Sequence, residues 1–264
     1  MSTFNNKVVW VTGASSGIGE EIVKQLDNQN AIIILSARKI DKLNEVRSKL
    51  KQPEKHLCLA LDLEVSSNFP SLAKQIVEKY GRIDFLFNNG GLSQRSEVNE
   101  TPIEVDRRIM EINYFGNIAL TKAVLPYMIK QKSGHIIPIS SIAGKFGFYL
   151  RSAYSASKHA LFGFYESLLL EVAKNGIHVT IACPGKINTN ISMNALNGKG
   201  DKHGVMDHNQ STGMPVEVCV RELLLAVKKN KKEVLIGNKE IKAVTLKRFF
   251  PSLFWKVIKK QSAT

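Results

Sequence analysis

Residues 8–19 read Val-Val-Trp-Val-Thr-Gly-Ala-Ser-Ser-Gly-Ile-Gly. A short apolar run bounded by a polar turn has the length and composition of a strand buried on both faces. The glycines at 13, 17 and 19 permit a tight turn and a close backbone approach. From Gly17 to Asp27 apolar residues recur at helical spacing, so the turn opens a helix. Amides at the start of a helix can hold a pyrophosphate, which makes Gly13, Ser15, Ser16, Gly17, Ile18 and Gly19 candidate cofactor contacts. Glycine turns also occur for purely structural reasons; the strand before this one and the helix after it supply the context a nucleotide site needs.

Six more apolar runs follow, at 31–35, 56–61, 83–87, 135–139, 177–182 and 233–236. Helical patterns lie between them at 17–27, 42–50, 69–79, 103–130 and 157–174. Alternating strand and helix predict an α/β fold, a Rossmann-like, doubly wound parallel sheet of seven strands with helices on both faces. Pro138 interrupts the fifth run and cannot donate a ladder hydrogen bond, so the pairing there is in doubt. We read one domain over residues 1–244 and a basic amphipathic extension over 245–264. Residues 186–214 form a long polar stretch placed to act as a lid. In such a sheet ligands bind at the carboxyl ends of strands, and the glycine turn, Asn88-Asn89, Ser140-Ser141 and Pro184-Gly185 all fall there.

Bulk properties narrow the class. The three cysteines are widely spaced and lie in no Cys/His cluster, so neither a disulfide framework nor a metal site is expected, and a reducing, cytoplasmic setting fits. No signal peptide is expected before the first strand, and no apolar run is long enough to cross a bilayer. The chain carries 37 Lys+Arg against 23 Asp+Glu, a net charge of +14. The excess concentrates after residue 220, where it would attract an anionic membrane or merely form a solvated face; nucleic acid is not expected as a partner.

Tyr154 and Lys158 are spaced to share a helix face one turn apart, with Ser141 thirteen residues upstream of the tyrosine. A neighbouring ammonium favours the phenolate and lowers the tyrosine pKa from about 10, so that the phenol can exchange a proton with an alcohol or carbonyl. On its own, Tyr-x-x-x-Lys is more often plain helix surface. Together with the glycine spacing of residues 12–19, Asn88-Asn89-Gly90-Gly91, Asn113, Ser141 and Pro184-Gly185, the chain resembles the short-chain dehydrogenase/reductase family over nearly its whole length. Gly90 departs from the family's usual alanine. The resemblance implies an oxidoreductase with Tyr154 as general acid/base, Ser141 orienting the substrate oxygen, Lys158 on the nicotinamide ribose and Asn113 holding a relay water. It places Asn89, Gly90, Pro184, Gly185, Ile187 and Thr189 at the cofactor, and it implies a homodimer or homotetramer built on the helices after the fourth and fifth strands.

The second strand ends Leu35-Ser36-Ala37-Arg38-Lys39 with no carboxylate before Asp41. Arg38 and Lys39 can receive a 2′-phosphate, so NADP is preferred over NAD, unless the two simply begin a solvated helix. Asp62-Leu63 resembles the adenine-contacting pair, with helix capping by Asp62 the alternative. Ser93, Gln94, Phe146, Phe148 and Met193 are candidate substrate contacts and suggest an apolar, lipid- or steroid-like carbonyl or alcohol. Rival readings are a 3-oxoacyl carrier-protein reductase and a non-catalytic nucleotide-sensing or nucleic-acid-binding protein on the same fold. The stripe Phe250, Leu253, Phe254, Val257 and Ile258 with Lys256, Lys259 and Lys260 beside it would contact a membrane through 245–260, or pack on this subunit or a copy of it.

Overall fold

Strand β1 (Val8–Thr12) is buried along its whole length. A computed structural model describing residues 3–259 places it at the centre of the sheet. The chain continues through α1 (Gly17–Asp27), β2 (Ile32–Ala37), α2 (Ile40–Arg47), β3 (Leu57–Ala60), α3 (Phe69–Tyr80), β4 (Phe85–Asn88) and α4 (Ile103–Met110). It then runs through α5 (Gly116–Gln131), β5 (Gly134–Pro138), α6 (Ser152–Val172), β6 (Ile177–Val179) and β7 (Ile181–Pro184). Short α7 (His208–Ser211), α8 (Val216–Lys228), β8 (Glu233–Ile236), α9 (Lys242–Phe249) and α10 (Pro251–Ile258) complete it. The parallel order is β3-β2-β1-β4-β5-β6. The winding direction reverses between β1 and β4, so the loops after these two strands bound a crevice at the carboxyl edge.

Alternate residues of one strand feed two cores. Val9 and Val11 face Ile22, Leu26, Leu223 and Val227. Val8 and Trp10 face Ala73, Ile76, Leu120, Val124 and Leu161 on the other side. This is why the strands read as unbroken apolar runs rather than alternating ones.

The sheet has six strands rather than the seven expected. The run 177–182 is divided at Thr180: β6 continues the main sheet, whereas β7 pairs with β8 as a separate two-stranded ladder. Pro138 supplies the reason. Thr180 N–H donates to Ile136 O at 3.0 Å and Ser140 N–H donates to Ala182 O at 2.7 Å. In that alternation the intervening donor is residue 138, and proline has no N–H. A bridge between Ile139 and Ala182 resumes the contact beyond the gap.

Two helices also differ from expectation. The stretch 103–130 is not continuous, because Glu111–Phe115 widens into a π-helical turn between α4 and α5. Asn113, inside that turn, is bound through its side chain to both backbone groups of Leu92, which fixes the segment. Helix α6 starts at Ser152, five residues before the expected 157. Its first amides are capped from afar: Gln94 Oε1 accepts from Ala153 N at 2.9 Å and from Tyr154 N at 3.3 Å.

The loop after β7 is tied down despite its polarity. Leu196 N–H donates to Ser93 O and Arg95 N–H donates to Leu196 O, stitching it to the segment after β4. At the C-terminus α10 buries Phe254 against Phe146 and Ile142. Residues 260–264 of the expected extension, Lys260 among them, lie outside the described residues, as do Met1 and Ser2.

Candidate active site

A cleft of about 340 Å³ opens over the carboxyl ends of β1, β2 and β4. Gly13, Ser15, Ser16, Gly17 and Ile18 form one wall, Arg38, Lys39 and Lys42 one end, and Asp62, Leu63, Asn89, Gly90 and Ser93 the opposite side. The glycine turn needs its glycines. Gly13 and Gly17 have φ of +64° and +56°, in the left-handed region. A Cβ on Gly19 would lie 2.7 Å from Gly13 C, so the first turn of α1 packs directly on the loop it grows from. Thr12 and Asn89 lock the arrangement: Thr12 Oγ1 accepts from Asn89 N and Gly90 N at 2.9 Å, and Asn89 Nδ2 donates to Thr12 O at 3.0 Å. The first amides of α1 have no intrahelical acceptor and suit an anionic pyrophosphate. These residues fit a dinucleotide.

At the adenosine end Arg38 and Lys39 are exposed at the end of β2, and Asp62 is the carboxylate of the cleft lining. Lys42, which sequence reasoning passed over, joins them one turn into α2, although it is held by Glu45 at 2.9 Å. Asp62 Oδ1 accepts from Glu64 N at 3.1 Å, a local turn bond, while the residue still faces the cleft. A Cβ on Gly90 would come within 2.8 Å of Leu63 Cδ1, so the departure from alanine matches a leucine packed into the space.

At the other end three expected catalytic residues meet. Ser141, Tyr154 and Lys158 are all buried. The serine hydroxyl interacts with the phenol, and Lys158 Nζ lies 5.7 Å from the centre of the tyrosine ring. Lys158 Nζ donates to Ile139 O at 2.8 Å, and Ser141 Oγ donates to Pro184 O at 3.2 Å. A Cβ on Gly91 would stand 3.7 Å from Lys158 Nζ, which places the ammonium at the inner edge of the cleft. Asn113 Nδ2 donates to Ser157 Oγ at 3.0 Å as well as to Leu92 O, putting it immediately behind the lysine's turn of α6.

The electrostatics correct one expectation. Burial pushes the Tyr154 phenol up; the groups that oppose this are the Ser141 hydroxyl, Arg151 and Arg95, with Lys158 not among them. Burial also pushes Lys158 down, to about 8. In this state the tyrosine is held protonated and the lysine is close to losing its charge.

Not every expected contact reaches the site. Gln94 is fully buried and spends its carboxamide capping α6 and meeting Ser96, Thr101 and Ser152, so it has no group left for a substrate. Phe146 is likewise consumed by Phe254 and Phe148, with ring centres 5.0 and 4.7 Å away. Ile187 sends its side chain into the core and can meet a cofactor only through its backbone. Pro184 and Gly185 are not among the residues lining the cleft: Pro184 O accepts from Ser141 Oγ, and Gly185 N–H bonds Ile236 O. Ser93 and Thr189 do line the cleft, and Met193 is exposed on the loop after β7. Sequence reasoning missed Arg95, Arg151 and Asp207, which form a buried ion cluster beside Tyr154. Among the described residues no cluster of His, Cys, Asp and Glu is arranged to hold a metal ion.

A profile of the short chain dehydrogenase family matches residues 7–200. The chain belongs to that family. Dehydrogenase/reductase SDR family protein 7-like of Anopheles gambiae is 41% identical over 98% of this chain and 84% of the relative. Dehydrogenase/reductase SDR family member 7B of Mus musculus is 39% identical over 96% of this chain and 80% of its own. Among solved structures, a short-chain dehydrogenase from Streptomyces avermitilis superposes with a TM-score of 0.82 at 28% identity, covering 97% of this chain and 96% of that one. A short-chain dehydrogenase/reductase from Burkholderia phymatum in complex with NAD superposes at 0.84 with 20% identity over 96% of each chain, a likeness of fold. This short-chain dehydrogenase is thus an NAD(P)-dependent oxidoreductase with a Rossmann-like nucleotide-binding sheet.

Proposed function

We propose that the protein is an NADP-dependent enzyme that reduces a carbonyl or oxidises a secondary alcohol, with Tyr154 as general acid/base. The grouping of buried Ser141, Tyr154 and Lys158 next to Gly91, a residue of the cleft lined by the glycine turn, carries this reading. A bound nicotinamide supplies or accepts the hydride. In reduction Tyr154 gives its proton to the substrate oxygen as negative charge grows there, and Ser141 donates a hydrogen bond to the same oxygen. Lys158 holds the nicotinamide ribose, and Asn113 positions a water behind it. Arg38, with Lys39 and Lys42 at the same end and no carboxylate at the end of β2, favours the 2′-phosphate of NADP. Leu92, Ile112 and Ile191 in the wall suit an apolar substrate body.

Two wider readings accompany this one. Residues 245–259 provide contact with an anionic membrane at its cytoplasmic face, supported by Phe249, Phe250, Leu253 and Trp255, which remain exposed although Phe254 docks on the subunit. A homodimer or homotetramer forms through α5 and α6, where Ile129 and Leu170 are exposed. The decisive measurement is a fluorescence titration with NADPH and NADH of the wild type and Arg38→Ala. Tight NADPH binding that falls at least tenfold in the variant, with NADH little changed, is expected; equal affinity for both dinucleotides in the wild type overturns the NADP assignment.

A further inference from the structure

The apolar side chains at the C-terminus join neither of the two cores that flank the sheet. Helix α9 fully buries no residue, and α10 buries only Phe254. That ring is 1% exposed, whereas its neighbours Leu253 and Trp255 are 50% and 51% exposed. It packs with Ile142 and Phe146 in a small cluster of their own, with Val244 and Leu246 of α9 and Ile258 of α10 against it. The Phe254 and Phe146 rings meet edge to face with centres 5.0 Å apart, and Phe148 stacks on Phe146 at 4.7 Å. One side chain therefore anchors the helix pair, and what it is anchored to is the chain directly after Ser141.

That stretch has little structure of its own. Ser141 caps a single 3₁₀ turn, Ile142–Gly144, its Oγ accepting from Ala143 N at 3.1 Å and donating to Pro184 O at 3.2 Å. No helix or strand intervenes between this turn and α6. A turn so short is weakly held by its own hydrogen bonds, so packing on its two sides sets its stability. One side rests on α6: Ser140 Oγ donates to Lys158 O at 3.0 Å, and a Cβ on Gly144 would lie 2.7 Å from the same oxygen. The C-terminal helices supply the other side, through Phe254 against Ile142 and Phe146 and through Lys247 Nζ, which donates to Lys145 O at 3.0 Å. The serine's segment is thus clamped between the helix that carries Tyr154 and Lys158 and the helix pair that ends the described chain. We propose that Phe254 is a positioning residue for Ser141: its ring holds the segment after the serine against α6 and so fixes the hydroxyl relative to the Tyr154 phenol. The proposal rests on the reading of Ser141 as the group that orients the substrate oxygen. A misplacement of about 1 Å in such a group costs on the order of 10²-fold in rate, so a small loosening of the clamp is enough to be seen.

The test combines amide hydrogen exchange with turnover of the full chain. The proteins are the wild type, Phe254→Ala, Phe254→Leu, Ser141→Ala and the double variant of Phe254→Ala with Ser141→Ala. Exchange over residues 142–148 should be tenfold or more faster in Phe254→Ala, with β1 and β4 unchanged; unaltered exchange in that segment overturns the proposal. For turnover the probe is 9,10-phenanthrenequinone, an activated apolar diketone, with NADPH as reductant. Phe254→Ala should lower kcat tenfold or more while NADPH affinity stays within a factor of two, and Phe254→Leu, which fills most of the same space, should recover most of the loss. In the Ser141→Ala background the same substitution should cost less than twofold, because an effect that travels through the serine hydroxyl then has nothing to act on. An equal loss in both backgrounds, or a parallel loss of NADPH affinity, overturns the proposal and leaves Phe254 as a cover for apolar surface. Should Phe254→Ala fold poorly, Phe254→Val keeps more of the packing and takes its place with the same outcomes. A Ser141→Ala enzyme as active as the wild type would sink the role given to Ser141, and a wild type inert toward the quinone would count against the ketone chemistry. In either case exchange, which needs no substrate, still decides whether Phe254 holds the segment.

Discussion

At the scale of single residues the active end is governed by burial more than by the pairing visible in the sequence. Tyr154→Phe removes the proton donor without changing the volume of the side chain; turnover should fall by about 10²–10⁴-fold, with NADPH affinity within a factor of two or so of wild type in the same titration. Undiminished turnover would reject the general-acid assignment. Lys158 carries a second prediction. Its pKa is pushed down to about 8, whereas an unfolded lysine titrates near 10.4. The charged form is therefore disfavoured by folding: the penalty is absent above the unfolded pKa, grows as pH falls through the window to about 8, and is complete below it. The difference corresponds to roughly 3 kcal/mol at pH 7. Lys158→Met should thus raise the melting temperature of the cofactor-free protein while turnover collapses, a trade of stability for function. A lower melting temperature would show that the bond from Nζ to Ile139 O outweighs the desolvation. The same value sets a pH dependence for reduction: activity should decline as pH rises through about 8, where the lysine loses its proton, and Lys158→Arg should move that limb upward.

At the scale of elements, the features legible in the chain were those with local causes. The strand, turn and helix of residues 8–27 needed only apolar runs and glycines, and they appear within a residue of their expected limits. Helix α6 was placed five residues late because its cap is Gln94, 59 residues away from Ala153 and indistinguishable in sequence from a pocket-lining glutamine. Arg95, Arg151 and Asp207 escaped for the same reason, since only the folded loop brings position 207 to position 95. The division of the sixth strand was half legible: proline announced a missing donor, but the acceptor, Thr180, emerged only from the register. Restoring the donor with Pro138→Val should close the gap. Such a bond contributes about 0.5–1.5 kcal/mol, so a melting temperature raised by a few degrees and slow exchange of the new amide are expected; rapid exchange would mean that the β6–β7 break has another cause. Gln94→Ala probes the opposite case. Loss of a cap typically costs about 1 kcal/mol, and because the uncapped turn holds Tyr154, turnover should fall by more than NADPH affinity does.

At the scale of the whole molecule, charge and exposed apolar surface coincide. The net charge is +14, and the segment from α9 to Lys259 bears Lys242, Lys247, Arg248, Lys256 and Lys259 with no acidic residue among them. The same segment exposes Phe249, Phe250, Leu253, Trp255 and Val257 to at least 42% each, an unusual density for a surface helix pair that has already docked through Phe254. A neighbouring protein would have to match both properties, whereas an anionic bilayer matches them with no further specificity: aromatic rings settle at the headgroup level and each nearby cation adds about 1 kcal/mol. No helix of the described residues is long and apolar enough to cross a membrane. Burial decides which substitutions can test this. Phe254→Ser would undock α10 from Phe146 and confuse docking with binding. Phe250→Ser with Leu253→Ser changes only exposed groups, so the fold and the NADPH titration should be unaffected while co-sedimentation with phosphatidylglycerol-rich vesicles is lost. Wild-type co-sedimentation should itself weaken as ionic strength rises and the Debye length shrinks below about 10 Å. If the wild type fails to sediment, and its mass by light scattering drops from oligomer to monomer in the double variant, the apolar face belongs to a second copy of the chain instead.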